Sequence, residues 1–119
     1  MKLQLPLPIN LANARLHWRT KHKKKKAYWE HLDILVTLKR LPQPPELPYD
    51  RVDIVFNWYV WNKLDPDNLH ARKKWILDWL VTRGYLAGDR EENVTLIDLP
   101  QHIDRRCPRV HIEILEQAA

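Results

Sequence analysis

Asp65 and Asp67 stand two residues apart at the head of a helical pattern, and Lys74 follows Asp67 by seven residues. Seven residues are about 700° of α-helix, so Lys74 returns to within roughly 20° of the Asp67 line and about 10.5 Å along it. Helical side chains lean toward the N-terminus, which points the Lys74 ammonium back at the acidic end. Ala71, one turn in between, is small enough to leave that lane open. Asp78 continues the line four residues beyond Lys74, where a hydrogen bond to the lysine is expected to fix its direction. A third carboxylate, Asp89, follows the helix after Gly84 and Gly88. Its meeting with Asp65 and Asp67 is an expectation about the tertiary fold.

Three carboxylates without His or Cys partners form a hard, oxygen-rich set that suits Mg²⁺, or Mn²⁺, rather than Zn²⁺. Clustered acids in a basic chain would repel phosphate on their own. A divalent cation resolves this by bridging carboxylate and phosphate, and it lowers the pKa of a bound water to make a nucleophile. Lys74 would neutralise charge building on the phosphate. The chemistry is phosphodiester hydrolysis. The competing account of Asp65-Pro66-Asp67 is helix capping, since Asp caps helices, Pro suits the first turn and acids complement the helix dipole.

The chain around these residues carries a formal net charge of +5 and an isoelectric point near 9.5. That balance favours a polyanionic partner, nucleic acid before an anionic membrane surface. The cations cluster in Arg15, Arg19, Lys21 and Lys23 to Lys26, and again in Arg72 to Lys74 beside the acidic pair. At 119 residues with 45% hydrophobic content, the expectation is one globular domain spanning 1–119. No apolar run approaches the ~20 residues of a membrane helix. The N-terminus lacks the apolar core and cleavage site of a signal peptide. Cys107 is the only cysteine, which excludes an internal disulfide and any paired-cysteine metal site. A reducing cytoplasm is the expected compartment.

Periodicity supplies the elements that must position the site. Lys2 to Pro8 alternates as a first strand, with Pro6 and Pro8 pushing it to an edge. Ile9 to Thr20 has no clear period and reads as a loop. Lys26 to Lys39 has helical spacing through Tyr28, Leu32 and Leu35, with the lysine run as its exposed approach. Arg40 to Asp50, with four prolines, reads as a stiff extended connection. Arg51 to Trp61 is the strongest strand, with one face fully apolar and the other partly so, as in a central strand with unequal cover. Pro66 to Arg83 is the second helix, with Leu69, Ile76, Leu77, Leu80 and Val81 as its buried stripe and Gly84 just beyond its end. Val94 to Leu99 and Arg109 to Leu115 close the domain as strands, joined by a basic loop from Pro100 to Pro108. The predicted order is β-α-β-α-β-β, an α/β layer with a small mixed sheet and two helices.

The residues resemble the RusA-like Holliday junction resolvases, small endonucleases common in prophages and bacterial viruses. The resemblance covers most of the chain. It includes Leu7-Pro8-Ile9-Asn10 and the segment Asn13-Ala14-Arg15-Leu16-His17-Trp18-Arg19. Its core is a D-x-D-N signature, Asp65-Pro66-Asp67-Asn68, continued by Leu69, Ala71, Lys74, Leu77, Asp78 and Leu80, then Gly84 and Asp89. The resemblance implies a Mg²⁺-dependent α/β homodimer, without organic cofactor, that resolves four-way DNA junctions by paired nicks in recombination and repair, in a bacterial cytoplasm. It implies Asp65, Asp67 and Asp89 as metal-binding acids and Lys74 as the essential lysine, with Lys73 as the fallback. The late turn of the family commonly has two adjacent aspartates. Here the first is Gly88, so Asp89 stands alone, with Glu91 or Glu92 as the alternative third ligand.

Asn10, Asn13, Arg15, His17, Arg19, Lys23, Lys24, Lys25 and Lys73 are the candidate DNA contacts, through phosphate and without reading sequence. His17 has a structural reading beside the DNA-contact one, and the lysine run reads equally as a solvated face. Trp58, Trp61, Trp75 and Trp79 are read as packing rather than base stacking. Trp75 and Trp79 fall off the buried stripe of the second helix, so they are expected to be exposed on it and to meet either a dimer partner or a long covering loop. Readings from other classes remain alongside: a Mg²⁺ nuclease for flaps or other branches, and a non-catalytic nucleic-acid-binding module whose acidic pair is only a cap.

Overall fold

The alternation that marks Arg51 to Trp61 produces the strand on which everything else is built. The computed structural model describes residues 1–8 and 18–117. Its elements are β1 (Lys2–Pro6), α1 (Trp18–Thr37), β2 (Val52–Val60), α2 (Pro66–Thr82), β3 (Val94–Asp98), β4 (His102–Ile103) and β5 (Arg109–Glu116). The protein is a small mixed α/β domain, as expected, with one addition to the predicted order. The loop from Pro100 to Pro108 contains the two-residue strand β4.

The sheet runs β1-β5-β2-β3, with β4 also on β2. β5 pairs antiparallel with both β1 and β2, while β3 and β4 lie parallel to β2. Val52 to Phe56 face Val94 to Asp98, and Tyr59 and Val60 face His102 and Ile103. β3 and β4 are therefore successive pieces of one edge. The break between them contains Pro100, which has no N–H for a ladder.

Val52, Ile54, Phe56, Trp58 and Val60 are all buried, as are Leu3, Leu5, Val110, Ile112 and Ile114 from the flanking strands. Tyr28 and Leu32 of α1 and Ile76, Leu77, Trp79 and Leu80 of α2 join the same core. Each large apolar side chain in it contributes roughly 1.5–3 kcal/mol. The alternate residues of β2, such as Val55, Asn57 and Tyr59, are half-buried on the opposite face. No described helix is long and apolar enough to cross a membrane.

Two expectations need correction. First, α1 starts at Trp18, eight residues before the predicted Lys26. Its first two turns have no apolar stripe to announce them, but lysine and arginine are good helix formers and need none. The lysine run is thus helix, not an approach to one. Second, Trp79 is fully buried and Trp75 is packed against the core. α2 touches the sheet on one side and α1 on another, so its buried arc is wider than a single stripe. Trp79 donates its indole N–H to Asp33 at 2.9 Å, and the Trp75 carbonyl accepts the Trp29 indole N–H at 3.1 Å. The pair forms the α1–α2 seam and is not an exposed dimer surface.

Candidate active site

Asp65 is the N-cap of α2, with Pro66 in the first turn and Asp67 beside it. One Asp65 oxygen accepts the Asn68 backbone N–H at 2.8 Å, and the other accepts the Asn68 side-chain amide at 3.0 Å. The capping account of Asp65 is therefore realised. The residue before it is clamped as well. The Gln101 side chain accepts the Leu64 N–H at 2.7 Å and donates to the Leu64 carbonyl at 2.8 Å. These two hydrogen bonds fix where the chain turns into the helix, and Gln101 is a positioning residue that sequence reasoning missed.

Asp67 and Lys74 are exposed on α2 and form no ion pair among the described residues. The expected partnership of Asp78 with Lys74 does not form. Asp78 instead accepts from Lys25 of α1 at 3.1 Å, and that ammonium lies 4.8 Å from the Trp29 ring. The α1–α2 seam brings Lys25 closer to Asp78 than the helix brings Lys74. Lys74 is left to solvent, and Lys25 becomes a cross-helix contact. Lys73 is also engaged, donating to Asp98 Oδ2 at 2.6 Å. Trp58 donates its indole N–H to the other Asp98 oxygen at 3.1 Å. Asp98 was not among the sequence candidates. It ends β3 at the same end of the sheet as the start of α2, where its two oxygens hold Lys73 and Trp58.

Asp89 does not join Asp65 and Asp67 within one chain. β2 and β3 are parallel, so α2 must carry the chain back to the start of β2. The return is visible where Tyr49 donates to Tyr85 and accepts from Ala87 just before β2. Asp89 follows there, while Asp65 lies beyond the other end of β2. The 17 residues of α2 separate them by about 25 Å. Among the described residues, no three His, Cys, Asp or Glu side chains gather as a metal cluster. Glu91 and Glu92 are exposed in the same distant loop. A side chain at position 88 would have little room. A Cβ on Gly88 would lie 2.7 Å from the Asn93 side-chain oxygen. Asn93 is held there by donating to the Asp50 carbonyl at 3.0 Å.

What remains at the head of α2 is a pair of carboxylates. Mg²⁺ is commonly held by one or two carboxylates together with waters and substrate phosphate. Asp65 and Asp67 fit that smaller donor set; they do not fit a three-acid cage. When bound, such an ion would activate water and offset phosphate charge.

Of the candidate DNA contacts, Arg19, Lys23, Lys24 and Lys25 all lie on α1, with Arg19 and Lys23 exposed. Asn10, Asn13, Arg15 and His17 lie outside the described residues. No protein-family model matches the chain, and no match was found among curated proteins.

Proposed function

We propose that the protein is a Mg²⁺-dependent, structure-specific DNA endonuclease of the RusA-like kind, acting as a homodimer on four-way junctions by paired nicks. The observation that carries this reading is the head of α2. There the exposed Asp67 and the exposed Lys74, which forms no ion pair among the described residues, share one face of a helix that starts at the carboxylate pair. A cap accounts for Asp65 but gives no role to Asp67 and Lys74 together. In this reading Asp65 and Asp67 hold the metal, and Lys74 faces the scissile phosphate. The exposed cations of α1 bind the DNA backbone.

The test is Asp67→Asn, with labelled four-way, flap and duplex DNA in the presence and absence of Mg²⁺. Junction binding should survive and Mg²⁺-dependent cleavage should disappear. Cleavage by the variant at the wild-type rate sinks the assignment. Preference for flap over four-way substrate would redirect the activity to another branch.

A second reading, a non-catalytic nucleic-acid-binding module, draws on the full use of both Asp65 oxygens as a cap and on the distance of Asp89. It requires that the wild-type protein cleave none of these substrates in any divalent metal.

A further inference from the structure

A cleft of about 320 Å³ opens beside the first turns of α2, between the end of β2 and the end of the first strand. Asn68 and Arg72, one helical turn apart, line it together with Leu7, Trp61 and Lys63. Asn68 is only 7% exposed. Its amide nitrogen is held by Asp65, but its oxygen Oδ1 is buried with no hydrogen-bond partner among the described residues. Arg72 Nε is buried and unpartnered in the same way. Two residues of one cleft wall therefore carry, buried just behind its surface, an unused acceptor and an unused donor.

Such groups are costly to bury unless something occupies them. No carboxylate pairs with Arg72 among the described residues. The tyrosine beside it does not neutralise it. Burial pushes the Tyr28 phenol well up, against the opposing pull of Arg72, so it stays neutral and donates to the Pro6 carbonyl at 2.7 Å. Burial also lowers the pKa of the Arg72 guanidinium, with Tyr28 acting in the other direction. A guanidinium without an anion favours a phosphate. A buried carbonyl oxygen beside it favours a hydrogen-bond donor.

We propose that this cleft is a nucleotide-binding subsite, in which Arg72 takes a phosphate oxygen and Asn68 Oδ1 takes a donor from the adjoining base or sugar. The proposal rests on the nuclease reading only for the identity of the polymer. The cleft adjoins Asp65 through Asn68, so a nucleotide seated in it lies next to the proposed cutting site.

The experiment uses the full chain in EDTA, where cleavage cannot occur. A single-stranded oligonucleotide, dCMP and sulfate are titrated in turn, and the Trp61 indole N–H signal is followed by NMR. Trp61 lines the cleft and is 55% exposed, so its signal reports occupancy. The oligonucleotide and dCMP should shift it. Sulfate, with no proton for Asn68, should bind at least about tenfold more weakly than dCMP. Arg72→Gln should weaken dCMP about tenfold or more, without a lower melting temperature. Arg72→Lys keeps the charge but lacks the Nε donor and should fall between the two. Unchanged dCMP affinity in Arg72→Gln overturns the subsite, as does equal affinity for sulfate and dCMP. If Arg72→Gln fails to fold, wild-type affinity in Arg72→Lys overturns the role of Nε. A wild-type protein that binds dCMP but never cuts DNA would remove the nuclease reading and leave this one standing.

Discussion

Asp65 caps a helix, the proposed function also gives it a metal, and one pair of substitutions separates the two roles. Asp65→Ala removes the acceptor for the Asn68 N–H and for the Asn68 side-chain amide. Loss of an N-cap costs about 1 kcal/mol. Stranding the buried amide costs about another 1 kcal/mol. At roughly 2.1 cal/mol/K per residue, the unfolding entropy of 119 residues is about 250 cal/mol/K, so 2 kcal/mol lowers Tm by about 8 °C. Asp65→Asn behaves differently. Asparagine caps as well as aspartate, and Asn68 can turn its amide over to present Oδ1 to the new side-chain N–H₂. The remaining loss is the favourable charge at the helix start, about 0.5 kcal/mol or 2 °C. Catalysis should not discriminate between the two in this way, because both substitutions remove the carboxylate. Exchanging a metal-binding carboxylate for an amide removes several kcal/mol of transition-state stabilisation, at least about a hundredfold in rate. The assays are calorimetric melts and single-turnover cleavage of a labelled four-way junction across a Mg²⁺ series. Wild-type cleavage by Asp65→Asn would make Asp65 a cap and nothing more. A Tm as low as that of Asp65→Ala would refute the capping argument instead.

Two further predictions concern the seam that holds α2 in place. Asp33 accepts from Arg83 Nε and NH2 at 2.9 and 2.8 Å and from the Trp79 indole, and the Arg83 hydrogen bond leads in holding its carboxyl below the usual range. A depressed carboxylate contributes stability that is present above the unfolded pKa of about 3.9 and lost as pH falls through the lower folded value. Asp33→Asn should therefore cost about 1 kcal/mol at pH 7, a modest figure because the side chain is 37% exposed, and the gap to wild type should close in urea melts as pH falls through the depressed Asp33 pKa. Trp79→Ala should cost about 3–5 kcal/mol and unfold the chain, as seen by far-UV circular dichroism. A folded variant of lower sedimenting mass would return Trp79 to a subunit interface.

The parts that were legible in the sequence are those whose residues face one environment. Val52 to Val60 alternates against one covered face, so its ends were placed within a residue on each side. Pro66 and Gly84 bracketed α2 because each suits a specific backbone geometry, and Gly84 does adopt φ +87° after the cap at Arg83. Legibility failed where a second neighbour mattered. Trp79 looked exposed because the stripe was drawn for one packing partner, and α2 has two. The first turns of α1 were invisible because their charged residues bury nothing. Asn68 and Arg72 appeared in the sequence as a signature residue and one more cation. Their unsatisfied atoms became evident only against the end of β2.

The misplacement of Asp89 has a different origin, and it bears on where the chemistry should be sought. Two glycines permit a reversal, but they do not say at which end of the sheet it occurs. That depends on whether the strands flanking α2 are parallel, which the order of elements leaves open. Once β3 pairs parallel with β2, the loop after α2 must lie at the starting end of both strands. In open α/β sheets, ligands bind beyond the carboxyl ends of parallel strands, where helix N-termini face them. Asp65, Asp67, Asn68 and Arg72 follow the carboxyl end of β2, and Asp98 lies at that of β3. The fold and the residue chemistry therefore select the same end of the molecule, and Asp89 stands at the other. A catalytic site at the head of α2 must be completed by the substrate phosphate, by water, or by a second subunit.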